Sequence, residues 1–389
     1  MRIGIIGGGF SGVISSLFIK GNNEITILER NNDILKKLLI TGNGRCNYFN
    51  KDMNINHFHS NNEEYLKDII TKENIDKLNK FYKDLGIIPK IKNGYYYPYS
   101  NKASSIKDLL ICELKNKKIK IKCDYLVDDI KIKNNKFIIN NELEFDKIII
   151  STGGMAYPKT GSDGNIYNLL KKFNHTITDI YPSLVQITSN NKYLKELSGV
   201  RCESTLSLYD NKLIKEEKGE LQFTNYGVSG ICTFNLSSYL KGDYKNKYIL
   251  VNFMPINEDE LNKFMIKNNY KTILSSLEGI LNNKLIKVIL KLSDIKEDAC
   301  YLDLNSKQKE VLFDNLFRYK VNITGTKGFN DAQVTSGGVS IDEINMITME
   351  SKLIPNLYIV GELLDIDGDC GGYNLTNAFI TGMVAGENI

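Results

Sequence analysis

The first 29 residues contain the pattern that most restricts the fold of this chain. A short apolar strand leads into a glycine-rich turn, a helix predicted over 13–20 and a second strand that ends in Glu29. The turn has the spacing Gly7-x-Gly9-x-x-Gly12. A strand, this turn, a helix and a strand ending in an acid, in that order, are typical of a parallel α/β sheet that binds a dinucleotide.

Each part of this motif has a physical role in holding a dinucleotide. Gly7 permits the tight turn, Gly9 lets the backbone approach a pyrophosphate, and Gly12 allows the helix to pack closely on the strand. The turn residues Phe10 and Ser11 lead into the helix, whose N-terminus presents free N–H groups and a partial positive charge to the phosphates. These residues are therefore predicted to bind the cofactor phosphates.

The residues after two apolar strands extend this prediction. Glu29 is placed to accept hydrogen bonds from an adenosine ribose. Its carboxylate disfavours a 2′-phosphate on that ribose, although the neighbouring Arg30 weakens this argument. A further turn at Thr152, Gly153 and Gly154 is able to approach a bound nucleotide. The chain has no second Gly-x-Gly-x-x-Gly pattern, so no dedicated NAD(P)H domain is evident.

The length of the chain and the change in predicted secondary structure along it predict two domains. A chain of 389 residues is too long for one ordinary domain. Short strands at hairpin spacing begin near residue 184, amphipathic helices follow, and the chain returns near residue 320 to a strand, a glycine-rich loop and a helix. We therefore predict a nucleotide-binding domain of residues 1–185 and 316–389, with an inserted domain of residues 186–315.

The composition is that of a soluble globular protein, with 42% hydrophobic and 25% charged residues. No apolar run approaches the roughly 18–20 residues that a membrane span needs. The N-terminus lacks the layout of a signal peptide, so we expect a cytoplasmic protein with no membrane association. Seven scattered cysteines without a CxxC pair and only three histidines favour neither a disulfide framework nor a metal site.

Four longer motifs resemble the BaiN/RdsA family (YhiN-like) of FAD-dependent oxidoreductases. They are found at residues 37–47 (KLLITGNGRCN), 157–162 (YPKTGS), 333–339 (QVTSGGV) and 361–375 (GELLDIDGDCGGYNL). The resemblance extends along the whole chain. It implies a Rossmann-like α/β fold of the two-dinucleotide-binding-domain flavoprotein type, as in glutathione reductase, with an inserted β-rich and helical domain. It also implies that FAD binds in an extended form.

The same resemblance assigns residues to the cofactor. Arg45 would lie near a phosphate or the flavin edge, Val127 would contact the adenine through its backbone, and Glu362 or Asp365 would reach the ribityl chain. The further cofactor contacts that it implies are Lys37, Leu38, Thr41, Gly42, Gly44, Cys46, Asn47, Gly361, Gly372, Tyr373, Asn374 and Leu375. The last four would direct a helix N-terminus at the flavin N1–C2=O edge, where positive partial charge stabilises an anionic reduced flavin.

The candidates for catalysis are fewer. Lys159 and Thr160 lie in a turn that we expect to face the flavin, and they are candidates for substrate contact. Cys46 stands beside Arg45, which makes it a candidate for an activated thiolate. The proton donor cannot be assigned from the sequence. His175 follows a predicted helix and is expected to be structural.

The resemblance implies hydride transfer from flavin N5 to a polarised C=C bond, with NAD(P)H as the transient reductant and the inserted domain covering the flavin. The favoured function is dihydrouridine synthesis in 23S ribosomal RNA or its precursor. A small-molecule ene-reductase acting on a bile-acid-like enone, an amine oxidase and a non-catalytic FAD-binding redox module remain alternatives. The oligomeric state is left open.

The distribution of charge bears on the choice between these substrates. Residues 30–135 hold 21 Lys and Arg against 13 Asp and Glu. A basic surface of this kind can meet RNA, and the tyrosine cluster at residues 95–99 can stack bases. The alternative interpretation is that the chain is rich in lysine throughout and that the tyrosines are a packed loop.

Overall fold

The chain forms two units in the computed structural model, which describes every residue from Met1 to Ile389. Unit 1 comprises Met1–Pro182 and Gln333–Ile389, and unit 2 comprises Ser183–Ala332. Unit 2 is therefore an insertion within the sequence of unit 1. None of the helices combines the length and the apolar character that a membrane crossing needs.

A seven-stranded sheet forms the centre of unit 1. Five of its strands are parallel, and two short strands at one edge are antiparallel. In spatial order the strands are Ile344–Asn345, Glu350–Ser351, Leu357–Ile359, Lys147–Ile150, Arg2–Ile6, Glu24–Leu28 and Lys120–Lys122. The inner strands are nearly continuous apolar runs because both faces of a parallel sheet are covered. Ile3, Ile5 and Ile148 are fully buried for this reason.

The helices of unit 1 pack on this sheet and on one another. They are Phe10–Phe18, Leu66–Ile69, Lys72–Asp84, Ala103–Asn116, Ile166–Lys172 and Tyr373–Asn388. Single 3-10 turns occur at Leu38–Ile40, Ile55–His57, Glu63–Tyr65, Pro158–Thr160, Ile341–Glu343 and Gly361–Leu363.

The first and last helices of unit 1 lie unusually close together. A Cβ atom on Gly382 would lie 2.6 Å from the Ser11 carbonyl oxygen, and one on Gly386 would lie 2.4 Å from the Ser15 carbonyl oxygen. These two glycines, one turn apart, allow the backbones to touch. The close packing holds the C-terminal helix against the glycine-rich turn.

Four small sheets complete unit 1. They are the antiparallel sheet of Ile130–Lys133, Lys136–Ile139 and Leu143–Phe145, the antiparallel sheet of Phe49–Asn50, Tyr95–Pro98 and Pro89–Lys92, the pair Phe58–His59 with Asp367–Gly368, and the pair Tyr181–Ser183 with Val334–Ser336. The second of these three-stranded sheets, with two lysines on its edge strand, is important below.

Unit 2 contains a seven-stranded antiparallel sheet and six short helices. In spatial order the strands are Tyr319–Asn322, Lys247–Asn252, Arg201–Asp210, Lys212–Thr224, Gly227–Ser229, Ile187–Thr188 and Gly325–Thr326. The helices are Leu194–Leu197, Ile231–Ser237, Glu258–Lys267, Ile273–Leu277, Asn283–Leu292 and Ser306–Phe317, with a 3-10 turn at Tyr301–Asp303. The unit has its own buried apolar core.

The structure differs from the predicted boundaries in two places. The chain returns to unit 1 at Gln333 and not at residue 316, because strand Tyr319–Asn322 pairs with Lys247–Asn252 inside the unit 2 sheet. Within the region of short strands predicted from residue 184, one strand is long, Lys212–Thr224, because Arg201–Asp210 pairs along most of its length.

Candidate dinucleotide-binding site

A cleft of about 180 Å³ opens in unit 1 at the carboxyl ends of the central strands. Ile6, Leu28 and Ser151, which end or follow three neighbouring parallel strands, line it. This edge is where open parallel sheets bind ligands, because the loops leaving the strands diverge there.

The glycine-rich turn forms one wall of the cleft, and its glycines serve different purposes. A Cβ atom on Gly12 would lie 2.3 Å from the Gly7 carbonyl oxygen and 2.4 Å from Ser151 Oγ, so this position packs the helix on the strands. A Cβ atom on Gly9 would have only the Ser151 carbonyl oxygen near it, at 3.7 Å. Gly9 therefore presents bare backbone to the cleft, as close approach of a pyrophosphate requires.

Glu29 is buried and its carboxylate is held in a fixed orientation. It accepts hydrogen bonds of 2.8 Å from the Gly8 N–H, the Asn31 N–H and the Asn31 side-chain amide. A carboxylate offers about four acceptor positions, so these three donors leave one position for a further donor. Glu29 lines the cleft together with Val127, as the predicted adenosine site requires.

Two helix N-termini open on this one cleft. Helix Phe10–Phe18 begins after Gly9, and helix Tyr373–Asn388 begins after Gly372, and neither has a side-chain cap or an acidic residue in its first turn. The first N–H groups of a helix have no intrahelical partner and carry partial positive charge. Phe10 and Ser11 from one helix, and Asn374 and Leu375 from the other, line the cleft. The cleft is therefore built to receive negative charge at two separate points.

An ion pair joins two distant segments in the cleft wall. Lys37 Nζ lies 2.9 Å from Glu362 Oε2, and the other oxygen of Glu362 accepts from the Thr335 N–H at 3.1 Å and its hydroxyl at 3.0 Å. The Thr335 hydroxyl in turn accepts from the backbone N–H groups of Met155 and Ala156. The carboxylate of Glu362 is thereby oriented from three sides.

More than half of the predicted cofactor residues line the cleft. They are Gly7, Gly9, Phe10, Ser11, Glu29, Arg30, Lys37, Leu38, Thr41, Val127, Thr152, Gly153, Glu362, Asn374 and Leu375. The predicted residues that do not line it are Gly12, Gly42, Gly44, Arg45, Cys46, Asn47, Gly154, Gly361, Asp365, Gly372 and Tyr373.

Several of these other residues shape the wall from behind. Gly154 and Gly361 have no room for a Cβ atom, because Thr335 and Ser11 lie against them at 2.3 and 2.4 Å. Of the two predicted ribityl candidates, Glu362 lines the cleft, whereas Asp365 accepts a hydrogen bond from the Asn61 N–H at 3.2 Å.

The C-terminal helix begins with a tyrosine that points away from the cleft. The Tyr373 ring is buried and stacks on His57 with ring centroids 4.5 Å apart, and its hydroxyl donates to the Asp52 carbonyl oxygen at 2.9 Å. Tyr373 therefore anchors the helix start and leaves the cleft to Asn374 and Leu375.

The turn that contains Lys159 and Thr160 places only one of the two residues in the cleft. Thr160 lines the cleft beside Glu29, because its carbonyl oxygen accepts from the Asn31 side chain at 3.0 Å. Arg30 also pairs with Asp163 just beyond this turn. Lys159 is exposed and does not line the cleft. The substrate contact that we expect from these two residues stays a prediction.

Cys46 is in the wrong environment for a thiolate nucleophile. Its side chain is fully buried beside Tyr48 and Tyr82, and burial raises the pKa of the thiol to about 12. A low thiol pKa and access to substrate are both needed for the predicted catalytic role. The structure supplies neither, so Cys46 is a core residue of this loop.

The rest of the 42–47 loop turns away from the cleft after Thr41. The Arg45 side chain donates to the Gly42 carbonyl oxygen at 3.0 Å and lies over the Tyr97 ring, 4.9 Å from its centroid. The amide of Asn47 lies against the backbone carbonyls of Phe49 and Tyr96. Arg45 is thus placed beside the cleft mouth and not in its wall.

Sequence reasoning missed one buried polar side chain of the cleft. Asn377 is 2% exposed, lines the cleft, and its side-chain oxygen has no hydrogen-bond partner within the protein. The Thr152 hydroxyl, in the opposite wall, is also buried without a partner. Such groups carry a free-energy cost unless a ligand satisfies them. Helical spacing from Asn374 to Asn377 was the signal available, because residues three apart share a helix face.

The geometry fits an extended dinucleotide such as FAD. Bare backbone and one helix N-terminus are available for the pyrophosphate, the oriented Glu29 for the ribose, and the second helix N-terminus for an electron-rich ring edge. The Thr152 hydroxyl and the Asn377 side-chain oxygen, which have no hydrogen-bond partner in the protein, are available to polar atoms of the cofactor. The cleft thus contains a fitting partner for each part of the cofactor.

Comparison with known proteins assigns the whole chain to one family. The family described as HI0933-like protein Rossmann domain matches residues 1–388. A 3-dehydro-bile acid delta(4,6)-reductase from Clostridium scindens is 36% identical over 401 residues, covering 99% of this chain and 98% of the relative. A ribosomal RNA dihydrouridine synthase from Escherichia coli is 26% identical over 400 residues, covering 99% of this chain and 97% of the relative. These relatives confirm the family predicted from the four motifs.

Solved structures confirm the fold class. The 3-ketosteroid-delta4-(5alpha)-dehydrogenase from Rhodococcus jostii RHA1, in complex with 4-androstene-3,17-dione, aligns with a TM-score of 0.51 at 11% identity. The alignment covers 99% of this chain and 96% of that structure. The predicted Rossmann-type α/β flavoprotein fold is therefore correct.

Proposed function

This chain belongs to the HI0933-like protein Rossmann domain family, and from that premise we propose that it is an FAD-dependent oxidoreductase that reduces a polarised C=C bond. The observation that supports this most directly is the pair of uncapped helix N-termini opening on one cleft. A site that binds only the phosphates of a nucleotide needs one such helix N-terminus. A flavin dinucleotide uses both, one for its pyrophosphate and one for the ring that becomes negatively charged on reduction.

When bound, FAD would supply a hydride from N5 to one carbon of the C=C bond, and a proton from a general acid would complete the reduction at the other carbon. Residues of this chain hold and orient it. The N–H groups after Gly9 bind the pyrophosphate, Glu29 binds the adenosine ribose, and Glu362 binds the ribityl hydroxyls. The N–H groups of Asn374 and Leu375 stabilise negative charge at the flavin edge, which favours the reduced cofactor.

The same wall also carries a cation and an apolar lining. Lys37 sits beside Glu362 and holds that carboxylate in place through an ion pair of 2.9 Å. Leu38, Leu375 and Ala378 line the cleft and exclude water from it. Exclusion of water strengthens each electrostatic contact inside the site and protects the hydride from side reactions.

We further propose that NAD(P)H is the reductant and that it visits the flavin transiently. The chain has a single Gly-x-Gly-x-x-Gly pattern, at Gly7–Gly12, and this turn is used by the flavin dinucleotide. The chain therefore has no separate dinucleotide-binding motif for NAD(P)H. The reduced nicotinamide cofactor would bind transiently and leave after transferring its hydride.

The favoured substrate is uridine in 23S ribosomal RNA or its precursor, which places the protein in the cytoplasm. Relatives named ribosomal RNA dihydrouridine synthase, from Escherichia coli and Haemophilus influenzae, match 99% and 95% of this chain. Dihydrouridine arises by saturating the 5,6 C=C bond of uracil. The excess of lysine and arginine over acidic residues in 30–135 supports an RNA substrate.

A second candidate is a steroid-like enone of the bile-acid class. The bile-acid reductase from Clostridium scindens is 36% identical to this chain, compared with 26% for the Escherichia coli relative. Both names describe saturation of a C=C bond, so the reaction type is common to the two candidates and the substrate separates them.

The test is an anaerobic spectroscopic titration. The purified protein is loaded with FAD, desalted, reduced with NADPH or NADH, and then given either a 23S ribosomal RNA fragment or an unsaturated 3-oxo bile acid. Bleaching of the flavin band by the nucleotide and its return with RNA, together with dihydrouridine in the RNA by mass spectrometry, is the expected result. Return of the band with the bile acid alone would select the second candidate. Loss of the flavin on desalting, with no binding at any FAD concentration, would contradict the proposal.

A further inference from the structure

The three-stranded sheet of Phe49–Asn50, Tyr95–Pro98 and Pro89–Lys92 has two different faces. Lys90 pairs across the sheet with Tyr97, and Lys92 pairs with Tyr95. Directly paired residues of an antiparallel sheet point to the same side. These four side chains therefore share one face, which we call the lysine–tyrosine face.

The opposite face of this sheet is used for packing. It carries Tyr96, whose ring meets those of Tyr48 and Phe49 edge to face, with centroids 6.3 and 5.2 Å away. Tyr48 and Phe49 are buried in the core of unit 1. The core thus covers Tyr96 on one side of the sheet. On the other side the Gly371 segment lies against Asn50 and Tyr95, whereas Lys90 and Lys92 are exposed.

The tyrosines of this face contact the two segments that lead to the cleft wall. The Tyr95 ring lies against Gly371, where a Cβ atom would be 2.6 Å from Cε1, and Phe49 lies equally close to Gly372. These glycines immediately precede Asn374, which lines the cleft. On the other side Arg45 lies over Tyr97, four residues beyond Thr41 in the cleft wall.

The surface around this face is basic, and its cations are unpaired. Between Asp84 and Asp108 the chain has four lysines and no acidic residue. Lys90 and Lys92 are exposed, as are Lys51 beside the hairpin turn and Lys102 beside the Arg45 loop. The five cations of this surface, none of which forms an ion pair, are Arg45, Lys51, Lys90, Lys92 and Lys102.

The acidic groups nearest to this surface are already engaged. Asp52, next to Lys51, lies 3.2 Å from His57 Nε2, and Asp369 lies 2.8 Å from His57 Nδ1. Both carboxylates thus contact His57, and neither forms an ion pair with a lysine of this surface.

We propose that the lysine–tyrosine face, with Arg45, is the surface that binds single-stranded RNA and leads the target base into the cleft. This inference rests on the proposed function, since it names the contact surface for the favoured substrate. Unpaired lysines attract the phosphate backbone, and the exposed side of the Arg45 guanidinium extends the Tyr97 ring as a stacking platform for a base. A bile acid offers a single carboxylate on an apolar ring system, whereas five uncompensated positive charges match the repeated phosphates of an RNA strand.

The test compares two double variants with the same change of charge. K90Q/K92Q removes the lysines of this face from a strand of sequence PKIK. K131Q/K133Q removes two lysines from the strand Ile130–Lys133, of sequence IKIK, in another sheet of the same unit. Binding of a fluorescent uridine-containing oligoribonucleotide of about 16 nucleotides is followed by anisotropy as a function of KCl.

K90Q/K92Q is expected to bind RNA about tenfold or more weakly at 0.1 M KCl, and to reduce the slope of log affinity against log salt by about 1.4, since each lost contact to single strands accounts for about 0.7. K131Q/K133Q is expected to bind like the wild type. Both variants should retain FAD and be reduced by NAD(P)H like the wild type, which shows that they are folded.

Equal RNA binding by K90Q/K92Q and the wild type would overturn the inference, even if the wild type forms dihydrouridine. Equally tight binding of duplex DNA, weakened to the same degree in K90Q/K92Q, would also overturn it, because the face would then be a general polyanion surface. If the wild type binds RNA through this face but makes no dihydrouridine, the RNA-binding surface stands and uridine fails as the substrate of the proposed function.

Discussion

Lys37 and Glu362, 325 positions apart in the chain, form an ion pair of 2.9 Å in the wall of the cleft. The two residues come from the segment after the second strand and from the turn before the C-terminal helix. Their side chains are only 25% and 18% exposed, so solvent screens the pair incompletely. The pair therefore closes the nucleotide-binding domain around its cleft as well as orienting a cofactor contact.

Replacing Lys37 by methionine is expected to lower the free energy of unfolding by about 1–2 kcal/mol, because the partly buried Glu362 carboxylate loses its counter-charge. Urea denaturation of the FAD-free protein measures this effect. K136M is a suitable control, because Lys136 pairs with Glu144 on the exposed surface. An equal and small loss in both variants would show that the Lys37 pair contributes no more than a surface pair.

Alanine substitutions at Gly9 and Gly12 are expected to affect different properties, the affinity for FAD and the thermal stability respectively. In G12A the new Cβ atom collides with the Gly7 carbonyl oxygen, so the melting temperature falls sharply. In G9A there is room for the Cβ atom on the protein side, so the melting temperature is kept while FAD affinity falls about tenfold or more, or about 1.4 kcal/mol. Thermal unfolding and equilibrium dialysis with FAD separate the two. Normal FAD affinity in G9A would remove Gly9 from the pyrophosphate site.

Stability is expected to fall between neutral and mildly acidic pH because of His175. Its ring is buried, with Nδ1 2.9 Å from Glu343 and Nε2 2.9 Å from the Ser351 hydroxyl, and burial lowers the pKa of the imidazole below its usual 6.5. The unfolded chain then binds more protons than the folded one as the pH falls through 6.5, so the contribution of His175 is full above that pH and declines below it.

Urea unfolding of the wild type and of H175Q at pH 7.5 and pH 5.5 tests this. The loss of stability on acidification should be smaller in H175Q than in the wild type, because the titrating group is absent. A loss of equal size in both proteins would assign the acid sensitivity to other groups. The buried position, bonded at both nitrogens, is that of a structural histidine, as the sequence predicted.

Cys46 is expected to resist alkylation in the native protein. Burial raises its thiol pKa to about 12, so almost no thiolate is present at pH 8, and the side chain has no access to solvent. Cys112 is exposed and is the internal control. Mass spectrometry after brief iodoacetamide treatment should find Cys112 modified and Cys46 intact. Labelling of Cys46 at a similar rate would reopen its catalytic candidacy.

Local patterns in the sequence were enough to predict the start of the fold. Strands Arg2–Ile6 and Glu24–Leu28 lie where apolar runs and flanking glycines placed them, and Glu29 ends the second strand as expected. The glycine spacing, the acid and the four family motifs predicted 15 of the residues that line the cleft, and their contacts with a cofactor stay predictions. These features are readable because the backbone conformation of a glycine-rich turn depends mainly on neighbouring residues.

Only the tertiary structure decided which distant segments meet. The turn at Thr160 lies against Asn31, Cys46 is enclosed by Tyr48 and Tyr82, and the insertion ends at Ala332 because a late strand completes its sheet. The register of one small sheet places Lys90 and Lys92 on the same face as Tyr97. Each of these depends on packing between residues far apart in sequence, and local periodicity carries no information about the partner that packing selects.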